Sequence, residues 1–304
     1  MGVNKMKKIL LSLSVVAAVA AVVLGATTAF YNDEETSSGN VLAAGAIDLS
    51  VDNHSFYNGV LSEKTTWRVD DDLDPETNPG GLPRLFFNFT DLKPGDWGED
   101  TISLHVNNND SWLCADVTLT SDKDNTGTEP EMDNEIPYTA DDISNNFNGG
   151  ELAEAVNFYA WADDGDNVYE TCEGSPPNGP CKDETLFIAG EHLDLGETTT
   201  LPLADFNGNI WGDVGNALPG DSVRFIGKAW CFGESAFAPH PQDGSGNASN
   251  NGPVQRPVIC DGEGEDNTTQ TDSMTVDITF RAEQSRHQPN FTCDPEDVET
   301  GEPT

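Results

Sequence analysis

A chain of 304 residues with 54 acidic against 14 basic side chains carries a formal charge of −40 at pH 7. Such a surface excludes a nucleic-acid or anionic-membrane binder, whose affinity rests on Lys and Arg. It suits high salt, which screens self-repulsion, or divalent cations, and it also serves the solubility of an extracellular protein.

Residues 1–29 read as a secretory signal peptide. Lys5, Lys7 and Lys8 precede an uninterrupted apolar run, and small residues ending Thr27-Thr28-Ala29 place cleavage between Ala29 and Phe30,. An uncleaved anchor is the alternative, since 9–26 is about long enough to span a bilayer. Cleavage removes three basic residues and no acid, leaving 11 against 54, a charge of −43. The chain is expected to be secreted, to the extracellular matrix or the cell surface.

Next comes "FYNDEETSSGNVLAAG", residues 30–45, an arm with two aromatics, an acidic stretch and an alternation that continues into "AIDLSV". Residues 46–51 read as the first strand of a domain spanning 46–293. Acidity could also mean disorder, but 14 Phe, 6 Trp and 5 Tyr in patterned segments argue for a folded body.

Strand signals dominate that body. "LFFNF" (85–89), "TISLHV" (101–106), "WLCADVTLTS" (112–121), "NFYAW" (157–161), "TLFIA" (185–189) and "SMTVDITFRA" (273–282) are short strands between turn clusters,. "SVRFIGKAWCF" (222–232) is apolar on both faces, as a central strand is,. "LKPGD" (92–96) and "LPGD" (218–221) are Pro-Gly turns that each introduce a strand,. Only 138–156 looks helical. The sum is an all-β, jelly-roll-like antiparallel sandwich with a short, mostly helical insertion. The stretches 122–150 and 238–272 read as long acidic loops, and 294–304 as a disordered acidic tail.

Six cysteines in an exported chain read as three disulfides,. Cys172 and Cys181 enclose a turn-rich loop and predict a local bridge. Cys114, Cys231, Cys260 and Cys293 then allow three pairings, of which Cys231–Cys260 with Cys114–Cys293 is favoured. No C-x-x-C pair suggests a metal,. Of six N-x-S/T sequons, Asn247 and Asn267 fall in expected loops and are the better glycan acceptors; Asn88 and Asn290, beside phenylalanines, are expected to be partly buried,.

Two acidic stretches suggest calcium, the one cofactor considered. Asp163, Asp164, Asp166 and Asn167 gather hard oxygen ligands around Gly165, with Glu170 following,. "DKDNTG" from Asp122 echoes an EF-hand loop more faintly, and a solvated turn explains either stretch. Catalysis has little support: the five histidines are scattered, with no H-E-x-x-H and no G-x-S-x-G,.

The stretch from 29 to 49 resembles the N-terminal signature of the TasA/camelysin family of exported proteins. The matching positions are Ala29, Phe30, Tyr31, Asn32, Asp33, Glu35, Gly39, Asn40, Ala44, Gly45, Ile47, Asp48 and Leu49. Asn32 stands where Ser is common, and Leu42 where Phe is common. "LKPGD", "ELAEAVNFYAWADDGDN", "GKAWCFG" and "PNFTC" are also similar to a longer, cysteine-bearing branch. The resemblance implies a jelly-roll subunit of biofilm-matrix or pilus-like filaments, released by a dedicated signal peptidase. Its partners would be further copies of itself, with minor filament or anchoring proteins. The freed arm, including Phe30, Tyr31, Asp33, Val41, Leu42 and Ala44, would add as a strand to the next subunit's sheet. Camelysin-type members also make a secreted metallopeptidase the alternative, and a calcium-binding cell-surface protein is another.

Overall fold

The computed structural model describes residues 32–36, 48–71, 84–125, 131, 147–172, 182–242 and 258–293. In chain order, the strands are β1 (Asn32–Thr36), β2 (Asp48–Tyr57), β3 (Val60–Leu61), β4 (Trp97–Asn107), β5 (Ser111–Asp124) and β6 (Phe147–Asn148). A one-turn helix, α1 (Leu152–Ala155), leads into β7 (Val156–Asp163), β8 (Glu170–Thr171), β9 (Leu186–Glu191) and β10 (Thr198–Ala204). Then follow β11 (Ser222–Phe232), β12 (Glu234–Phe237), β13 (His240–Pro241), β14 (Val258–Asp261) and β15 (Ser273–Gln284).

These strands make two main antiparallel sheets, so the fold is the all-β sandwich expected. One sheet runs β1-β15-β5-β10, with β6 on the end of β5; the other runs β3-β2-β4-β11-β7-β9. Alternation decides what lies between them. Ile102, Leu104 and Val106 of β4 turn inward to meet Leu113 of β5 and Phe280 of β15. Outward residues of β7 and β11, among them Tyr159, Trp161 and Ala229, are covered in turn by Val258 and Phe237 of the β12–β14 pair. That second cover explains why β11 is apolar on both faces.

Tryptophans lie over glycines across neighbouring strands. Trp161 pairs with Gly227 and Trp230 with Gly98. A Cβ on Gly227 would come within 2.1 Å of the Trp161 ring, and one on Gly98 within 2.3 Å of Trp230. Either substitution would push an indole out of its packed place.

Several expectations are corrected. "LFFNF" is not a strand. It crosses irregularly and still sends Phe86, Phe87 and Phe89 into the core clusters. Residues 122–124 continue β5, and 238–272 contains β13 and β14, so neither stretch is wholly loop. Within the described part of the expected helical insertion, only Leu152–Ala155 is helical, while Phe147–Asn148 pairs with β5. The signal segment and the acidic tail lie outside the described residues.

Candidate functional site

The loop leaving β7 turns tightly because its own carboxylates accept backbone N–H groups. Asp163 Oδ2 accepts from Gly165 (2.9 Å) and Asn167 (3.1 Å), and its Oδ1 accepts from the Trp161 indole (3.1 Å). Asp166 Oδ1 accepts from Val168 N at 3.0 Å. Gly165 and Asn167 both hold positive φ. The loop thereby brings together carboxylate atoms of Asp163, Asp164 and Asp166, all within 4.8 Å of one another. Asp163, Asp166, Asn167 and Glu170 are all buried.

A sixth residue completes the group. Glu184, on the segment before β9, accepts from Asp164 N through Oε1 (3.0 Å) and from Glu170 N through Oε2 (2.8 Å). Burial, then the charges of Asp163, Asp164 and Glu170, push its carboxyl up to about 10. Burial and the neighbouring Asp166 push Asp163 up to about 7, against the N–H bonds that favour its ionised form,. Five carboxyls thus share one partly dry space. Such a site holds a proton or a hard cation. Glu184 escaped sequence reading because it lies 14 residues beyond Glu170, across the cysteine-bounded loop, with no local pattern to flag it.

A second carboxylate cluster joins Asp124, Glu131 and Asp272. Asp272 Oδ2 accepts from Glu151 N (2.7 Å) and Leu152 N (3.1 Å), so β15's leading turn caps α1,. Burial, with Glu131 and Asp124 nearby, raises Asp272 to about 7. Of the EF-hand echo, Asp122 and Asp124 lie in β5, and the later positions, Thr126, Gly127 and Asp133, lie outside the described residues.

Of the arm, residues Asn32–Thr36 form β1, antiparallel to β15, with Asp33 opposite Ala282 and Glu34 opposite Arg281. The rest of the arm, with Phe30, Tyr31, Val41, Leu42 and Ala44, lies outside the described residues, as does the cleavage site at Ala29. Cys114–Cys293 and Cys231–Cys260 are disulfides. Cys172 is disulfide-bonded too, and its expected partner Cys181 lies outside the described residues. Bridges of this kind belong to an oxidising compartment.

Asn267 is exposed, and Asn247 is outside the described residues. Asn88 and Asn290 are exposed rather than partly buried; Asn53 is buried, with its amide engaged by Thr65 O and Asp100. Among the described residues, both clusters of possible metal ligands are wholly carboxylate. No family model, curated protein or solved structure matches the chain.

Proposed function

We propose that the exported chain is a structural subunit that polymerises into extracellular, biofilm-matrix or pilus-like filaments by exchanging its N-terminal arm. The observation that carries this is β1. Five arm residues lie on the outer edge of β15, at the rim of the sheet, through pairing that any copy of the same strand could make. Strand addition draws its affinity from main-chain hydrogen bonds, so a neighbour's arm can make the same bonds that the chain's own arm makes. The contact is heterologous, and repetition gives an open filament. The TasA/camelysin-like signature at 29–49 supports the same role, with a signal peptidase as the releasing partner and no catalysis by the subunit itself.

Deleting residues 30–40 from the mature protein tests it. The expected product is a folded sandwich, with both described disulfides, that builds no fibres under negative stain. Unchanged fibres from the truncated protein would remove arm exchange.

A second reading is favoured by the recruitment of Glu184 to the acidic loop: a hard cation, Ca²⁺ by ligand type, held by Asp163, Asp164, Asp166, Glu170 and Glu184 on the cell surface,. Calcium that leaves the melting temperature at pH 8 unchanged would exclude it.

A further inference from the structure

The inner face of the six-stranded sheet buries a lysine. Lys228 of β11 lies directly opposite Asp100 of β4, and these are the two central strands of the sheet. Lys228 is 6 % exposed and Asp100 1 %. Nζ sits 2.6 Å from Asp100 Oδ2, yet this contact lacks the alignment of a hydrogen bond, and Nζ meets no aligned acceptor elsewhere among the described residues. A carboxyl C–O bond is about 1.2 Å, so Nζ lies within about 4 Å of Asp100 Cγ at any angle. Phe87 covers the amine, its ring centroid 3.5 Å from Nζ, with Phe86 at 5.9 Å. Asn53 Nδ2 donates to the other carboxyl oxygen, Oδ1, at 3.1 Å, and is itself fixed by Thr65 O at 2.7 Å.

A buried ion pair returns little once both ions have been desolvated, and here the two strands already share a ladder. Condensing the pair removes both charges at once and expels a water from a space that phenyl rings keep dry,. Desolvation lowers the Lys228 pKa, with Asp100 opposing it, so the amine is drawn toward its neutral, nucleophilic form. Direct opposition across adjacent strands holds the nucleophile and the acyl carbon close to attack distance,. Asn53 aims an N–H at the carboxyl oxygen on which charge would develop,.

We propose that Lys228 and Asp100 condense to an intramolecular amide between Nζ and Cγ. The ammonium first gives a proton to Oδ2, leaving a neutral amine and a neutral carboxylic acid. The Nζ lone pair attacks Cγ, and the carbonyl electrons move onto Oδ1, where the Asn53 N–H stabilises them. Nζ then passes a second proton to Oδ2. The Cγ–Oδ2 bond breaks, its electron pair leaves on the oxygen as water, and the Oδ1 electrons return to form the carbonyl. The sum is ammonium plus carboxylate giving amide plus water, with no oxidant, reductant or cofactor. The product ties β4 to β11, so the middle of the sheet cannot unzip, whether or not the chain builds filaments.

Peptide mapping of the reduced, alkylated full-length exported protein decides it. The expected result is one branched peptide joining the Asp100 segment to the Lys228 segment, lighter than the two together by one water, with no tryptic cleavage after Lys228. Intact mass alone is insufficient, because Asp-Gly steps such as Asp164-Gly165 also lose water on forming succinimides. Linear peptides alone, with cleavage after Lys228, would overturn the proposal. So would a branch from Lys228 to any residue other than Asp100. Lys228→Arg keeps the positive charge and should give no branch at Asp100; the same loss of water there would trace it to a succinimide instead. Asn53→Leu removes the N–H donor and should lower the branched fraction, at an early fixed time after synthesis, by about tenfold or more. An undiminished fraction would overturn the role given to Asn53. The map of the unaltered protein settles the bond even where a variant does not fold.

Discussion

Glu184 and Asp163 hold their protons far above the ordinary carboxyl range, so the folded chain binds more protons than the unfolded one through a wide window. The unfolded groups titrate near 4. Between there and about 7 for Asp163, and on to about 10 for Glu184, the native group keeps a proton that the unfolded one has released, so rising pH lowers the stability of the fold,. Asp272, raised to about 7, acts in the same direction. Without divalent cations, the melting temperature should therefore fall from pH 5 to pH 9, by about 2–4 °C for each kcal/mol lost. Glu184→Gln removes the largest of these proton-linked penalties, so it should melt above the parent at pH 8 without calcium and gain less from its addition,. A parent whose melting temperature is level across pH 5–9 would show that these carboxyls are not crowded as described. The same scale shows what the sequence could reveal. Asp163 to Glu170 could be found because they are adjacent. Glu184 joins them only through the return of the chain, which leaves no local pattern to mark it.

Among the elements, those buried by strict alternation were legible, while those shaped by long-range packing were not. β4 and β15 appear where period-two patterns put them, and β11 where a run apolar on both faces puts it, because each has one or both faces against the core,. "LFFNF" has the composition of a strand, but its aromatics serve as irregular cover over Lys228, Phe158 and Trp230. β10 was missed because "TTTLPLA" carries Pro202; as an edge strand it tolerates a residue that cannot donate, and its register shifts there,. The Cys114–Cys293 and Cys231–Cys260 bridges tie these elements over very different spans, 179 and 29 residues. Loop-closure entropy assigns them about 5 and about 4 kcal/mol. Replacing both cysteines of the long bridge by Ala should accordingly cost about 1–2 kcal/mol more, by urea midpoint, than doing so with the short one. Equal losses would mean that the unfolded chain is already compact enough to make span irrelevant.

For the molecule as a whole, charge sets the terms of assembly. A chain of −40 repels its own copies, and the arm that would join them carries Asp33, Glu34 and Glu35. Arg281, opposite Glu34 in the β1–β15 register, already pairs with Asp116, at 2.6 Å from Nε to Oδ2. The acceptor edge also carries Asp277 and Glu283, so the local balance there does not reverse the global one. Docking one subunit on another must then wait for screening. Raising salt from about 0.01 M to about 1 M shortens the Debye length from about 30 Å to about 3 Å, while each arm-to-edge contact is made at hydrogen-bond distance and keeps its strength. Fibre growth, followed by light scattering at fixed protein concentration, should therefore quicken by about tenfold or more over that range. Acidification should act in the same direction, as carboxylates on both partners take up protons. Growth that slows with salt would mean that opposite charges, and not main-chain pairing against a background of repulsion, bring the subunits together.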